Sequence, residues 1–310
     1  MTPAIAGQLS EVLYIYLTYS INMDKKILSV CIIALAVLAA VFAGCTGTQQ
    51  SAATVTPTPA TGTDNPTAAP TETQSGAPTE VVVEKTVYIV GIDFENPPYS
   101  YIDSEKTAQG FDVECAKWIS EDQGFVVKFK PITLDEIIPQ ILDKEIDMYY
   151  GGMTITPDRL NKVSFSDVYW TTDLGVAVNN ASTLTLDDVT TGKAKIATRR
   201  GSTADSWIKS EYVDTGILDA GKLAVYDSFP LALAALENGT VDAVIYDAPV
   251  VKQLIKGKDI DFLGTIETEE KYGIAVRNED IELLDMLNTG LKNLKASPKW
   301  AELVKKYELG

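Results

Sequence analysis

Arg159 lies where a carboxylate-binding group is expected. The run from Gly151 to Arg159 leaves a predicted strand and enters a helix, with Thr156 as the N-cap and Pro157 as the first helical residue. A cation in the first helical turn is unfavourable for the helix dipole, so the guanidinium needs an anionic partner. A bound carboxylate held by two hydrogen bonds is one such partner. An exposed arginine, or an ion pair with a nearby carboxylate such as Asp167, is an alternative of about equal weight.

A second segment that favours anions runs from Arg199 to Asp205. It follows the predicted strand 194–198 and begins a helix, so free backbone N–H groups, the small hydroxyls of Ser202 and Thr203 and the positive helix end come together. Taken alone, this segment is more readily an ordinary helix cap. The anion-binding interpretation is stronger when Arg159 is considered too, because the segment is then the second element that favours anions. The chain has no nucleotide-binding fingerprint that would explain such elements otherwise.

Two aspartates follow predicted strands, at the end where α/β proteins place ligands. Asp247 closes the predicted strand 241–246, and Asp93 ends the first predicted strand. Either carboxylate could accept hydrogen bonds from an ammonium group, although each alone is more often an N-cap or loop aspartate. The anion-binding and acidic groups together suit a solute that carries both a carboxylate and an ammonium group.

The composition excludes many kinds of chemistry. The 310 residues include no histidine, which removes imidazole bases, Ser-His-Asp and Cys-His systems and the commonest metal ligand. We therefore predict no catalytic residue, no metal and no cofactor. A formal net charge of −17 argues against nucleic acid as a partner and indicates that any membrane attachment needs a dedicated anchor. Cys115 is the one cysteine of the predicted folded part, where we expect a small buried hydrophobic residue and no disulfide.

Residues 1–45 have the build of a secretory signal peptide that ends in a lipidation site. A short basic start at Met23 precedes the apolar stretch 27–43 and small residues before Cys45. The ending Phe-Ala-Gly-Cys resembles a lipobox, in which the cysteine is acylated, although Phe42 departs from the usual leucine. An uncleaved transmembrane anchor over 27–44 is the alternative. Translation from Met23 would omit residues 1–22, and no prediction rests on them.

The rest of the chain divides into a linker and a folded part. Residues 46–85 are rich in Thr and Pro and contain almost no large apolar residue, which predicts a disordered linker. From residue 86 onward, strands alternate with amphipathic helices, which indicates an α/β fold. Two helix-to-strand passages carry similarly placed aspartates, Asp147 and Asp242, and this weak echo predicts two similar α/β lobes.

At this point the folded part resembles the family 3 extracellular solute-binding proteins. These are the amino acid receptors of ABC importers and have a type II periplasmic-binding fold. The resemblance covers nearly all of residues 86–309 and rests on many motifs in order. They are Gly91-Ile92-Asp93 with Pro97-Pro98-Tyr99-Ser100-Tyr101, Gly110-Phe111-Asp112-Val113, Gly152-Met153-Thr154-Ile155-Thr156 to Arg159, Phe165-Ser166-Asp167-Val168-Tyr169, Gly201-Ser202-Thr203, and Val241-Asp242-Ala243 to Asp247.

The resemblance implies a role for each candidate residue. Arg159 and Thr154 would bind the α-carboxylate of an amino acid, together with the amides of Ser202 and Thr203. Asp247 and the Gly152 carbonyl would take the α-ammonium group. Tyr99 would stack on the aliphatic part of the ligand, unless it is plain core packing. Asp93 and Arg199 would face the ligand side chain.

Arg199 departs from the commoner family pattern, where many relatives carry Gln, Leu or Lys. A second arginine in the pocket would favour a ligand side chain with an oxygen acceptor, whereas Asp93 opposes a carboxylate. We therefore expect glutamine or asparagine in preference to glutamate, aspartate or another polar amino acid. Arg199 and Asp93 could instead pair with each other and leave a less polar pocket.

The expected molecule is a two-lobed, exported monomer with a hinge of crossover strands. Residues 86–177 and 271–310 would form the first lobe, and residues 178–270 the second. The protein would be anchored by lipid on the outer face of the cytoplasmic membrane and would pass a polar amino acid to an ABC transporter permease. A dehydratase-like enzyme on the same fold and a ligand-sensing module are the alternatives; no signalling domain is expected after Gly310.

Overall fold

Two five-stranded sheets form the centre of the computed structural model, which describes residues 85–309. The predicted signal peptide region with Cys45, and residues 46–84 of the predicted linker, lie outside the described residues. Strands and helices alternate along the described chain, as the sequence predicts. The α/β fold class is confirmed.

The first sheet has the strand order β5-β1-β6-β13-β7. Its strands β5, β1 and β6 are parallel, whereas β13 is antiparallel to both of its neighbours. The last four residues of β1 are buried, as expected for a central strand covered on both faces. The strands are β1 (Val87–Asp93), β5 (Val126–Ile132), β6 (Met148–Tyr149), β7 (Ser164–Phe165) and β13 (Ala275–Val276), and a small antiparallel sheet beside them contains β2 (Glu95–Asn96), β3 (Ser100–Ile102) and β4 (Ala108–Gln109).

The second sheet has the strand order β10-β9-β11-β8-β12. Here β10, β9 and β11 are parallel, and the long strands β8 and β12 add an antiparallel edge. All five residues of β11 and all four of β9 are buried. The strands are β8 (Trp170–Asn179), β9 (Ile196–Arg199), β10 (Leu223–Tyr226), β11 (Ala243–Asp247) and β12 (Ile260–Tyr272).

Nine α-helices of the described chain connect and cover the strands. Helix α1 packs on β5 and carries the buried Cys115, as predicted, and it ends at Gly124, whose φ of 78° is left-handed. The helices are α1 (Phe111–Gln123), α2 (Ile137–Leu142), α3 (Pro157–Leu160), α4 (Leu186–Thr190), α5 (Thr203–Ile208), α6 (Phe229–Glu237), α7 (Ala248–Leu254), α8 (Ile281–Ala296) and α9 (Pro298–Lys306). Within residues 85–309, none of the helices is both long and apolar enough to cross a bilayer.

The strands β8 and β12 connect the two sheets. Their first pairs join Trp170 to Tyr272 and Thr172 to Glu270, and a register shift follows before Leu174 pairs with Ile266. Beyond the shift, β8 also pairs with β11 and so belongs to the second sheet. The two lobes are the first and second sheets with their helices. The predicted boundary at 177/178 falls within β8, and the lobe boundaries stay a prediction.

The echo between Asp147 and Asp242 has a structural basis. The Asp147 carboxylate accepts a hydrogen bond from the Ile89 N–H of β1 at 2.8 Å, and the Asp147 N–H donates to the Ile89 carbonyl. Asp242 forms the same reciprocal pair with Lys195 before β9, also with its carboxylate at 2.8 Å from the N–H. Each aspartate therefore pins the register of a neighbouring parallel strand in its own lobe.

Candidate functional site

The predicted ligand-binding residues meet at one cleft between the lobes. Asp93, Arg199 and Asp247 are each the last residue of a central strand, in β1, β9 and β11. Seven of the nine predicted residues line one small cavity of about 20 Å³ in this cleft. They are Asp93, Gly152, Thr154, Arg159, Ser202, Thr203 and Asp247.

Tyr99 and Arg199 lie behind the cavity lining. The Tyr99 ring is fully buried and packs edge-on against Tyr272, with ring centroids 5.1 Å apart. A Cβ atom added at Gly152 would lie 3.3 Å from the same ring, so the Tyr99 ring packs against the Gly152 backbone. In this conformation Tyr99 contributes to the core under the site, and its predicted stacking on a ligand stays a prediction.

Arg159 is placed by the start of helix α3. Thr156 is its N-cap, as predicted, and accepts a hydrogen bond from the Arg159 N–H at 3.3 Å. The half-buried guanidinium donates to the Thr154 carbonyl at 2.7 Å, and burial lowers its pKa. Among residues 85–309, no carboxylate forms an ion pair with Arg159, so the pairing with Asp167 that the sequence left open is not formed there. The guanidinium can therefore take an external anion.

The loop before helix α5 faces Arg159 across the cavity. The Ser202 hydroxyl caps the helix by accepting from the Asp205 N–H at 3.1 Å, and it donates to the Arg199 carbonyl at 2.8 Å. The Ser202 N–H also points to the Arg199 carbonyl, at 3.3 Å. The Thr203 N–H lies in the first turn, where helices leave their amides without intrahelical acceptors. Thr203 is thus better placed than Ser202 to offer an amide to an anion.

Asp247 supplies a buried carboxylate on the second lobe. Only 4% of the residue is exposed, and its carboxylate accepts a short hydrogen bond from the Tyr272 hydroxyl. Burial, together with the negative charge of Glu270, raises the pKa of Asp247 to about 7. A cation in the cavity would favour the ionised form, as the predicted ammonium contact requires.

Asp93 and Arg199 form an ion pair across the cleft. The side chains are 3% and 4% exposed, and the Arg199 guanidinium also lies 3.5 Å from the Tyr246 hydroxyl. Although burial works to lower it, Tyr246 and Asp93 hold the pKa of Arg199 above its ordinary value. The structure therefore has the pairing that the sequence left as an alternative. The two charges offset each other at this end of the cavity.

Gly152 is held by a carboxyl group from helix α1. Its φ of 76° is left-handed, and a Cβ atom there would lie 3.0 Å from the Asn96 amide nitrogen. Its N–H donates to the buried Asp112 carboxyl at 2.7 Å, and the Tyr169 hydroxyl donates to the same oxygen at 2.7 Å. Burial raises the pKa of Asp112 to about 8. Asp112 therefore fixes the peptide whose carbonyl is predicted to accept from the ligand ammonium group.

We expect Asp112→Ala to lower the free energy of unfolding by about 2–3 kcal/mol, because the buried Tyr169 hydroxyl loses its acceptor and the Gly152 N–H keeps only the longer bond to the Tyr169 oxygen at 3.2 Å. Asp112→Asn is the matched control. It resembles the protonated acid and keeps an oxygen acceptor, so a loss below about 1 kcal/mol is expected. Urea unfolding at pH 7 measures both changes. Equal stability of the alanine variant and the wild type would show that Asp112 does not hold Gly152.

Several cavity residues were not named as ligand-binding residues from the sequence. Six further residues line the small cavity: Asn96, Leu134, Tyr149, Gly151, Met153 and Tyr246. Glu270 is a seventh such residue and lines a neighbouring cavity. It is 8% exposed, and burial raises its pKa. It follows a register shift in β12, which the sequence pattern does not reveal.

A second, larger cavity of about 810 Å³ adjoins the small one. Four residues line both: Thr154, Arg159, Ser202 and Thr203. The small cavity has room for about one water molecule and not for an amino acid. A ligand of that size therefore requires the walls of the small cavity to move apart.

A cleft lined from both lobes by opposite charges defines a two-lobed solute-binding protein. The chain belongs to the bacterial extracellular solute-binding proteins, family 3, whose match covers residues 88–310. The resemblance stated from the motifs is thereby confirmed. Proteins of this family act outside the cytoplasm.

Relatives with described ligands are amino acid-binding proteins. A probable histidine-binding protein of Neisseria gonorrhoeae is 30% identical over 71% of this chain and 82% of its own length. The ABC transporter glutamine-binding protein of Bacillus subtilis is 28% identical over 64% of this chain and 72% of its own length. Structures of an ancestral arginine-binding protein, one bound to arginine and one to glutamine, are each 30% identical with a TM-score of 0.65 and cover 72% of this chain and 98% of their own.

Proposed function

We propose that this protein binds a polar amino acid outside the cytoplasm and delivers it to an ABC transporter permease. The observation that carries the proposal is Arg159, a half-buried cation without a carboxylate partner among residues 85–309, which faces the buried Asp247 across the cavity. An amino acid supplies the missing carboxylate to Arg159 and an ammonium group to Asp247. The relatives bind amino acids, which supports this reading.

The observed contacts leave fewer groups free to bind the ligand than the sequence predicts. A threonine hydroxyl has one proton, and the Thr154 hydroxyl donates its proton to Glu270 at 2.7 Å. We therefore expect the ligand carboxylate to bind Arg159 and the Thr203 N–H, and the ammonium group to bind Asp247 and the Gly152 carbonyl. The Thr154 side chain would contribute mainly by its position.

Glutamine or asparagine is the proposed ligand, in preference to charged amino acids. Asp93 and Arg199 neutralise each other, so a charged ligand side chain would meet no unmatched opposite charge at that end. One buried atom of the cavity lining, the Asn96 Oδ1 acceptor, lacks a hydrogen-bond partner within the described chain. A carboxamide carries two N–H donors that suit this acceptor and adds no charge. The glutamine-binding relative supports this choice.

Attachment to the membrane through a lipid on Cys45 is part of the proposal. It rests on the lipobox-like ending of the apolar segment before Cys45. The extracellular address of the family supports export. Mass spectrometry of the membrane fraction tests the anchor: a diacylated Cys45 at the mature N-terminus is expected, and an intact residue 44–45 bond would contradict it.

A thermal-shift screen against the common amino acids tests the binding function. A ligand that binds only the folded protein raises the melting temperature by mass action, by an amount that grows with its concentration. We expect the largest rise with glutamine or asparagine, and stoichiometric binding without turnover. No rise with any amino acid would contradict the proposed function, and a larger rise with arginine or histidine would correct the ligand.

Affinity is expected to fall as the pH is lowered from 7 to 5. The pKa of Asp247 is raised to about 7, and the ligand ammonium group binds its ionised form. Below pH 7 the protonated form dominates, so binding must release a proton and weakens by up to about tenfold per pH unit. Calorimetry across this range measures the slope. Asp247→Asn should bind more weakly and lose the slope, whereas a flat wild-type profile would contradict the ammonium contact.

A further inference from the structure

Glu270 connects both lobes through a single carboxylate oxygen. Its Oε2 atom accepts hydrogen bonds from the Thr154 and Thr203 hydroxyls, each at 2.7 Å. Thr154 lies between β6 and α3 of the first lobe, and Thr203 begins α5 of the second. Glu270 itself lies on β12, opposite Thr172 of β8. One side chain thus joins the walls of the cleft to the strands that connect the lobes.

The local backbone turns Glu270 into the cleft. Glu267 and Glu269 on the same strand are exposed, whereas Glu270 is buried. The register of β12 shifts between Ile266 and Glu270, and Glu269 has a φ of 48°. The Asp173 carboxylate stabilises this irregularity by accepting from the N–H groups of residues 268 and 269, both at 3.0 Å. The irregularity therefore lies directly before the residue that enters the cleft.

We propose that Glu270 is a positioning residue that fastens the two lobes in the closed form and, by holding the Thr203 side chain, keeps the Thr203 N–H in place for the ligand carboxylate. Hydrogen bonds to an ionised acceptor are stronger than neutral ones. Separation of the lobes breaks at least one of the two, because the threonines belong to different lobes. Glu270 therefore favours closure by a contact that exists only in the closed form.

The role of Glu270 in ligand binding rests on the proposed function. Its contact between the two lobes does not require a ligand. Glu270 lies next to the cavity that Arg159 also lines. The opposite expectation is that Glu270 competes with the ligand carboxylate for the threonine hydroxyls and for Arg159. The two expectations predict opposite changes in affinity when the carboxylate is removed.

Single-molecule FRET between dyes on the exposed positions Glu121 of α1 and Ala234 of α6 reports the closed form directly. We expect Glu270→Ala to shorten the lifetime of the closed form about tenfold or more, both without added amino acid and with saturating glutamine. Glu270→Gln keeps an oxygen acceptor for both hydroxyls and should stay within about threefold of the wild type. Glu267→Ala, on the same strand and exposed, is the matched control and should leave the lifetime unchanged.

Binding of glutamine by the same variants completes the test. Glu270→Ala should weaken binding about tenfold, and Glu270→Gln should restore most of it. An unchanged closed-form lifetime in Glu270→Ala would overturn the proposal, and so would tighter binding, which would identify Glu270 as an internal competitor. If the wild type binds no amino acid while Glu270→Ala still shortens the closed form, the proposed function fails and the fastening role stands.

Discussion

Arg159→Ala is expected to weaken amino acid binding at least about 100-fold and to leave the fold intact. The variant removes the cation that faces the cavity, and charge-assisted hydrogen bonds to a carboxylate contribute about 1.5–3 kcal/mol each. No carboxylate of residues 85–309 pairs with Arg159, so the substitution leaves no acid without its partner. Isothermal calorimetry measures the affinity, and circular dichroism with urea unfolding measures the fold.

Arg200→Ala is the matched control for this variant. Arg200 follows β9 beside the cleft, but its side chain is 65% exposed and pairs with the exposed Asp227. A surface ion pair of this kind contributes about 0–1 kcal/mol, so binding and stability should stay close to those of the wild type. Wild-type affinity in Arg159→Ala would show that the carboxylate binds elsewhere.

Breaking the Asp93–Arg199 ion pair is expected to produce the second large effect. Asp93→Ala or Arg199→Met alone leaves an uncompensated charge in a closed cleft, at a cost of about 3–5 kcal/mol. The open cleft hydrates that charge, so the cost falls on closure and on binding rather than on unfolding. Affinity for glutamine should drop by about two to three and a half orders of magnitude in each single variant.

The double variant Asp93→Ala/Arg199→Met distinguishes the effect of a buried, unpaired charge from the effect of losing the contact itself. With both charges removed, no buried ion remains, and affinity should recover part of the loss seen in the single variants. Lys256→Ala is the control for ion pairing in general, because Lys256 and its partner Glu308 are 49% and 68% exposed. If the loss of binding free energy in the double variant equals the sum of the losses in the two single variants, Asp93 and Arg199 are not coupled.

The positions of site residues that end a central strand or begin a helix can be predicted from the sequence. Asp247 and the capped start of α3 are local patterns, in which a few neighbouring residues determine where a side chain lies. The same is true of Ser202, whose hydroxyl caps α5 as the motif indicates. Such positions depend on strand ends and caps, which short-range chemistry determines.

Contacts between distant parts of the chain were not predictable in the same way. The Asp93–Arg199 pair joins residues 106 apart, and the sequence allowed either pairing or two separate ligand contacts. Glu270 meets Thr154 across 116 residues, directly after a register shift in β12. Tyr99 was expected at the ligand, whereas packing against Tyr272 buries its ring in this conformation. These outcomes depend on how two lobes fit together, which no local motif encodes.

The strand order of the two sheets has a consequence for how the chain folds. Every strand of the second sheet lies within residues 170–272, so that sheet can be completed from one continuous stretch of chain. The first sheet needs β13, because Ala275 and Val276 lie between β6 and β7 and pair with both. Pairing over so long a sequence separation is slow, since loop-closure entropy must be overcome first. On the proposed export route, in which the chain crosses the membrane from its N-terminus, the second lobe can therefore fold before the first lobe is complete.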